Sequence, residues 1–294
     1  MAMFGRVVTA MVTPFDENDA IDEAGTVRLM HHLIEHGSDG VVMAGTTGEA
    51  STLTDPEKVQ LFAIAMREVG SRAKVIANTG SNDTAHSVHL TREAAELGCH
   101  AVLAVTPYYN KPPRAGIIGH FQAIAEVGLP VILYNIPGRS VLNLDPDLLA
   151  ELGQIPNIVG VKQAHDDLEE LRQIATRTDL ALYAGNDDLL LAVAEVGGEG
   201  VISVASHLVG EQMAEMVRAV RHGRMDEARA IDRSLADLVE GLFTTSNPIL
   251  IKAALEMCGL IDSDRMRLPL VTATEQERET LRKVLDSQGV LVRR

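Results

Sequence analysis

The segment VGVKQAHDD (159–167) puts Lys162 behind Val159, Gly160 and Val161, in an apolar run where another Val or Ile would fit. Taking a cation out of water costs several kcal/mol unless it is paired or gives up its proton. Two readings are open for the residue alone. One is a strand-end lysine whose stem lies on apolar surface while its head reaches solvent or a carboxylate. The other is an amine kept neutral by burial, which attacks a ketone to form an imine. A protonated imine draws electrons from the neighbouring carbon, so an α-keto acid becomes an enamine nucleophile without a metal. That chemistry needs a proton shuttle beside the imine and, opposite it, a turn that binds a carboxylate.

Candidates for both are present. In GTTGE (45–49), Gly45 and Gly48 flank Thr46 and Thr47 ahead of a helix that starts near Thr54. Such a turn can aim backbone N–H groups and two hydroxyls at a carboxylate, although it also reads as an ordinary tight turn. It is too short for a P-loop and lacks the GxGxxG spacing, which excludes nucleotide binding. Tyr134 closes an apolar run, and Tyr108 and Tyr109 sit in a loop stiffened by Pro107, Pro112 and Pro113. The chain has four tyrosines, so three on one face is a concentration; Tyr183 reads as core. His32 and His36 share helical spacing but form no HExxH, and no metal site is expected there. His165 and His207 lie near strand ends and are expected on a solvated rim.

Aromatic residues make up 3% of the chain with no Trp, so a core drawn from 46% hydrophobic residues must be aliphatic. A formal charge of −15 repels nucleic acid and anionic membranes, and neither is expected as a partner. The acidic excess reads as dispersed solvated helix faces without EF-hand spacing. Cys99 and Cys258 occupy apolar settings and read as inert thiols. The N-terminal segment has no separate basic stretch, long apolar block or cleavage site, and no apolar stretch would span a bilayer. A cytoplasmic protein is expected.

These groups need a scaffold that brings strand ends together. Short β-branched runs recur at 6–15, 40–45, 74–80, 101–107, 130–137, 158–164, 180–187 and 200–206, nearly continuously apolar, as in a parallel sheet buried on both faces. Helical patterns separate them. In TDPEKVQLFAIAMREVG, Thr54 and Glu57 form a capping box, Pro56 fits the first turn, and Val59, Phe62, Ala63 and Met66 form one stripe. Asp145 and Pro146 repeat that grammar. Eight strand–helix units without linkers predict an α/β fold, a closed (β/α)8 TIM barrel; an open doubly wound sheet is the alternative. The barrel is expected over 1–222, with a C-terminal helical extension over 223–294. Most of the unusual residues fall at the C-terminal ends of strands, where such barrels carry their chemistry.

GTTGE, TPYYNKP, YNIPGR, VGVKQA and GVISVASH, in this order and spacing, resemble the dihydrodipicolinate synthase family of pyruvate-dependent Schiff-base aldolases and lyases. The similarity runs through NPILIKAALEMCGL to RLPLVTAT, essentially the whole chain. It implies a lyase in which Lys162 forms the imine with pyruvate and L-aspartate-4-semialdehyde is the second substrate. The product would be 4-hydroxy-tetrahydrodipicolinate, in the committed step toward diaminopimelate and lysine. Tyr134 would donate and accept protons, with a relay through the Thr46–Thr47 pair to Tyr109. In the family that last tyrosine reaches into a neighbouring subunit's site, which implies a tight dimer, usually paired into a homotetramer. Thr46 and Thr47 would hold the pyruvate carboxylate, Arg139 that of the aldehyde, and the backbone at Gly185 and Ile202 would line the pocket. No metal, nucleotide or other cofactor is implied.

Gln163, Ala164, His165 and Asp166 depart from the family's pattern beside the lysine, and AGND stands where SGDD is frequent. A sibling aldolase acting on N-acetylneuraminate or 2-keto-3-deoxygluconate is the alternative; Thr47 and the YYNKP and NIPGR loops favour the synthase. A non-catalytic barrel acting as sensor or scaffold has no need of the set Lys162, Tyr134, Thr47 and Tyr109. Feedback-sensitive relatives bind lysine with histidines after the GTTGE turn and a glutamate on the helix after the third strand. The corresponding positions here are Asp55, Lys58 and His86, with Ser51, Asn82 and Tyr108 nearby, so a vestigial regulatory site is expected.

Overall fold

A strand buried on both faces has no use for polar alternation, and the eight apolar runs become the staves of a barrel. In a computed structural model describing residues 2–291, β1 (Val7–Ala10), β2 (Gly40–Met43), β3 (Lys74–Asn78) and β4 (Ala101–Val105) pair in sequence order. They are followed by β5 (Val131–Asn135), β6 (Ile158–Gln163), β7 (Ala181–Ala184) and β8 (Gly200–Ser203), which returns to β1 in parallel and closes the sheet. The result is a (β/α)8 barrel. Met1 and Val292 to Arg294, the outermost residues of the two expected segments, lie outside the described residues. At the β8–β1 seam the chains approach so closely that a Cβ on Gly200 would stand 1.8 Å from the Arg6 carbonyl oxygen.

The connecting helices are α1 (Glu23–Glu35), α2 (Asp55–Val69), α3 (Thr84–Glu96) and α4 (Arg114–Ala125), then the one-turn α5 (Pro137–Ser140) with α6 (Pro146–Leu152), α7 (Leu168–Arg177), α8 (Leu190–Glu195) and α9 (Ser206–Arg221). Beyond the barrel run α10 (Met225–Leu242), α11 (Ile249–Met257) and α12 (Glu275–Ser287). Thr54 and Glu57 cap α2 as a capping box, and Asp145 accepts from the Leu148 N–H at 2.8 Å at the start of α6. The buried face of α2 differs from the expected stripe. It is centred on Leu61, Phe62, Ala65 and Val69, while Val59, Ala63 and Met66 are half-buried, because the helix packs against both the sheet and its neighbours. No helix among the described residues is long and apolar enough to cross a membrane.

Two cores result. The larger lies between sheet and helices. The smaller fills the barrel, where Val8, Val42, Ile76, Leu103, Ile132 and Ile202 pack in layers. In register across β5, β6 and β7 stand Tyr134, Lys162 and Tyr183. Lys162 is therefore flanked in register by two tyrosines. Tyr183 is core, as expected, with its hydroxyl donating to the Gly5 carbonyl at 3.0 Å.

Candidate active site

Side chains alternate along β6, so Lys162, between Gly160 and Ala164, points into the barrel while Gln163 points out toward the helices. The strand runs one residue past the lysine, which is 5% exposed and opens on a cavity of about 400 Å³ at the C-terminal end of the barrel. Thr46, Thr47, Tyr134, Arg139 and Gly185 share that cavity. The Lys162 ammonium position lies 4.4 Å from the centre of the Tyr134 ring. Burial pulls the lysine down to about 8; Asp187 opposes this and Arg139 reinforces it. Burial pushes the Tyr134 phenol up to about 12, against Arg139 and the neighbouring Thr46 hydroxyl. The site thus holds an amine that readily loses its proton beside a phenol that keeps its own.

The threonine turn is held from several sides. Ala44 and Glu49, at its two ends, both have left-handed backbone, with φ of 53° and 58°. Such residues persist where their surroundings over-determine them. The Asn78 amide donates to the Ala44 carbonyl at 2.9 Å, and the Thr13 hydroxyl donates to the Gly48 carbonyl at 2.8 Å. The fully buried Glu49 carboxylate accepts from Lys252 at 2.7 Å and from the Arg267 N–H at 3.1 Å. Lys252 also donates to the carbonyls of Thr13, at 3.0 Å, and Arg265. The turn is therefore braced by α11 through an ion pair with every lysine proton used.

The remaining expected site residues divide. Tyr109 lies outside the cavity, 87% exposed, with a φ of 73°. Ile202 is fully buried in the barrel interior rather than on the cavity wall. Ser51, Asp55, Lys58, Asn82, His86 and Tyr108 line a second cavity of about 600 Å³, which shares Thr46, Arg139 and Asn247 with the first. His165 stays partly exposed just past the end of β6, whereas His207 does not stand on a solvated rim. His165 is half-buried and bonds the Glu170 carboxylate at 2.8 Å. His207 is buried with both ring nitrogens engaged by backbone, at the Val204 carbonyl and the Val12 N–H, and burial pushes it down to about 4.

The sequence reading missed the residues that reach the site from the extension. Residues 243–247, between α10 and α11, form one wall of the catalytic cavity, and the Asn247 amide donates to the Thr47 hydroxyl at 2.9 Å. It also missed Asp187, which is buried, accepts from the Val204 and Ala205 N–H groups, and has its carboxyl pushed up by burial. The run AGNDD marked a strand end, but nothing local showed that its first acid, Asp187, turns inward while Asp188 stays exposed. Among the described residues no group of three or more His, Cys, Asp or Glu side chains is arranged to hold a metal.

The desolvated lysine sets a stability test. Below about pH 8 the folded protein holds a buried cation, whereas the unfolded chain keeps a solvated one up to about 10.5. The penalty is therefore full below the folded value, shrinks between the two, and is absent above both. Lys162→Met is expected to stabilise the protein at neutral pH by at most about 3 kcal/mol. Denaturant midpoints of the two proteins should converge as pH rises toward 10.5; a constant gap would contradict the assignment.

The chain matches the Dihydrodipicolinate synthetase family over residues 3–288. It is 47% identical to a 4-hydroxy-tetrahydrodipicolinate synthase of Cyanothece sp., covering 99% of this chain and 100% of that one. Among solved structures, a dihydrodipicolinate synthase from Bacillus anthracis superimposes with a TM-score of 0.94 at 45% identity, covering 98% of this chain and 99% of that one. One from Cyanidioschyzon merolae, with lysine bound, gives 0.96 at 42% identity over 99% and 100% of the two chains. A family match across almost the whole length, on a closed barrel with a buried lysine at its mouth, places the chain in the dihydrodipicolinate synthetase family.

Proposed function

We propose that this chain condenses pyruvate with L-aspartate-4-semialdehyde through an imine on Lys162. The observation that carries this reading is a buried amine, drawn down to about 8, opening beside a tyrosine onto a cavity that also contains a guanidinium. At neutral pH about a tenth of such amines are neutral. The neutral amine adds to the pyruvate ketone. Tyr134 protonates the carbinolamine oxygen, which leaves as water, and the imine forms. Loss of a methyl proton gives the enamine, whose carbon attacks the aldehyde; the new alkoxide takes a proton. The amino group of the second substrate then attacks the imine carbon, closes the ring and releases Lys162. Thr46 and Thr47 orient the pyruvate carboxylate, Arg139 that of the semialdehyde, and Gly185 shapes the wall.

Tyr109 has no role within one subunit's cavity. Its exposure fits a side chain presented to a second copy, which supports a tight dimer; pairing of such dimers into a tetramer is what the resemblance implies. The second cavity corresponds to the expected regulatory site, and a relative with lysine bound gives that expectation a precedent. Here Asp55 is already engaged by His86, at 2.8 Å, and by Lys58, at 3.7 Å. An incoming ammonium would have to displace the His86 ring or Lys58 from Asp55, and the Lys58 ammonium repels it.

Borohydride with pyruvate is expected to inactivate the protein and tag Lys162, and Lys162→Arg should not restore activity, because a guanidinium stays protonated. A tag on Lys111 or Lys252, or turnover of N-acetylneuraminate or 2-keto-3-deoxygluconate in preference to the semialdehyde, would overturn the assignment. Tyr109→Phe should lower the rate roughly 10²- to 10⁴-fold with the fold intact. Mixing it with Lys162→Ala should regenerate active hybrid dimers; an inert mixture with subunit exchange demonstrated would place each site within one chain. L-lysine at millimolar concentration should leave the rate nearly unchanged, whereas strong partial inhibition below millimolar would show that Asp55 is free to accept an ammonium.

A further inference from the structure

Thr46 and Thr47 are adjacent and chemically identical, yet the structure gives their hydroxyls different surroundings. Thr46 stands beside the Tyr134 phenol. Thr47 is buried and takes its partner from outside the barrel, the Asn247 amide at 2.9 Å. A hydroxyl has one proton to give and two lone pairs to accept with. Once the amide has filled a lone pair of Thr47, the hydroxyl proton is directed elsewhere, and the catalytic cavity lies alongside. Asn247 also meets the second group of the site suited to an anion, since its backbone carbonyl accepts from the Arg139 guanidinium at 3.5 Å.

The geometry points to Asn247 as a positioning residue that makes the Thr47 hydroxyl a fixed hydrogen-bond donor to the carboxylate of the α-keto acid, so that the C-terminal extension sets the affinity of the first substrate. This rests on the reading of Lys162 as the imine-forming residue. The alternative for an unheld hydroxyl is free rotation, with its proton shared among whatever acceptors surround it. A donor held in place before the ligand arrives loses less on binding.

The approach of Asn247 to Thr47 is itself fixed. Five positions after Asn247, Lys252 in the first turns of α11 reaches Glu49, two positions after Thr47, with both side chains wholly shielded from solvent. Breaking a buried pair leaves an uncompensated charge, so the two segments separate only at high cost. The segment that carries Asn247 and the turn that carries Thr47 are therefore tied at two points, one polar contact inside the site and one ion pair behind it.

The test uses the full-length protein and reads pyruvate KM, semialdehyde KM, kcat and borohydride trapping together. Asn247→Ala is expected to raise pyruvate KM about tenfold while semialdehyde KM stays within about twofold, as the loss of one hydrogen bond to a charged group requires. Asn247→Asp keeps the shape but turns the donor into an acceptor that captures the Thr47 proton and repels the carboxylate; a rise of about a hundredfold is expected. It carries the test if the alanine variant fails to fold. In a Thr47→Val background, Asn247→Ala should add less than about twofold, because the two residues act through one bond. Unchanged pyruvate KM in a folded variant, or full additivity with Thr47→Val, would overturn the proposal. Trapping separates the two levels: an unlabelled wild type removes the imine reading and this proposal with it, whereas a labelled wild type with unaffected Asn247 variants removes this proposal alone.

Discussion

An amine shut inside a barrel of aliphatic and tyrosine side chains, with no ion-pair partner among the described residues, is the constraint from which the site's chemistry follows. Desolvation acts on Lys162 with Asp187 as partial compensation, and the outcome is a group that releases its proton near neutral pH. Lys252 shows the same side chain under the opposite arrangement. It is more deeply buried, but it donates to the Glu49 carboxylate and to two backbone carbonyls and lies beside the Phe15 ring. Three acceptors use its three protons, which leaves no lone pair for a ketone. One buried lysine is a tether and the other a nucleophile, and the difference lies in their partners rather than their depth.

That tether also explains how the turn at the barrel mouth keeps its shape. Ala44 and Glu49 adopt a backbone region that side chains disfavour, at a cost of about 1–3 kcal/mol each. A short polar turn has little packing of its own to offset this. Asn78 and Thr13 offset part of it from within the barrel, and the rest comes from α11 and the Arg267 N–H, both supplied by the chain beyond the barrel. The extension is thus part of the site in two senses, bracing the turn from behind and contributing residues 243–247 as a wall in front.

The sequence is most informative where function and burial act on neighbouring residues. All eight strands are legible because burial on both faces removes polar alternation, and Lys162, Tyr134, Thr46 and Thr47 are legible because they interrupt or terminate those runs. Arg139 and Gly185 carry no local signal and follow from the resemblance; the structure brings both to the cavity. Asn247 is invisible to local patterns because its partner is 200 positions away. His207 misleads for the same reason. Nearness to a strand end predicts solvent, but the chain turns the ring inward, where the Val12 N–H needs an acceptor. The α2 stripe shifts because a barrel helix buries a wider face than one line of contacts describes.

The distribution of tyrosine gives the molecule an optical property. With four tyrosines and no tryptophan, its near-ultraviolet absorption and emission arise almost entirely from phenol rings. Tyr183 is locked in the interior with its hydroxyl bonded to Gly5, while Tyr134, Tyr108 and Tyr109 stand in or around the mouth of the barrel. The native chromophores are thus gathered where small molecules enter, with one buried ring as an internal reference. The chain carries its own spectroscopic label at its active face.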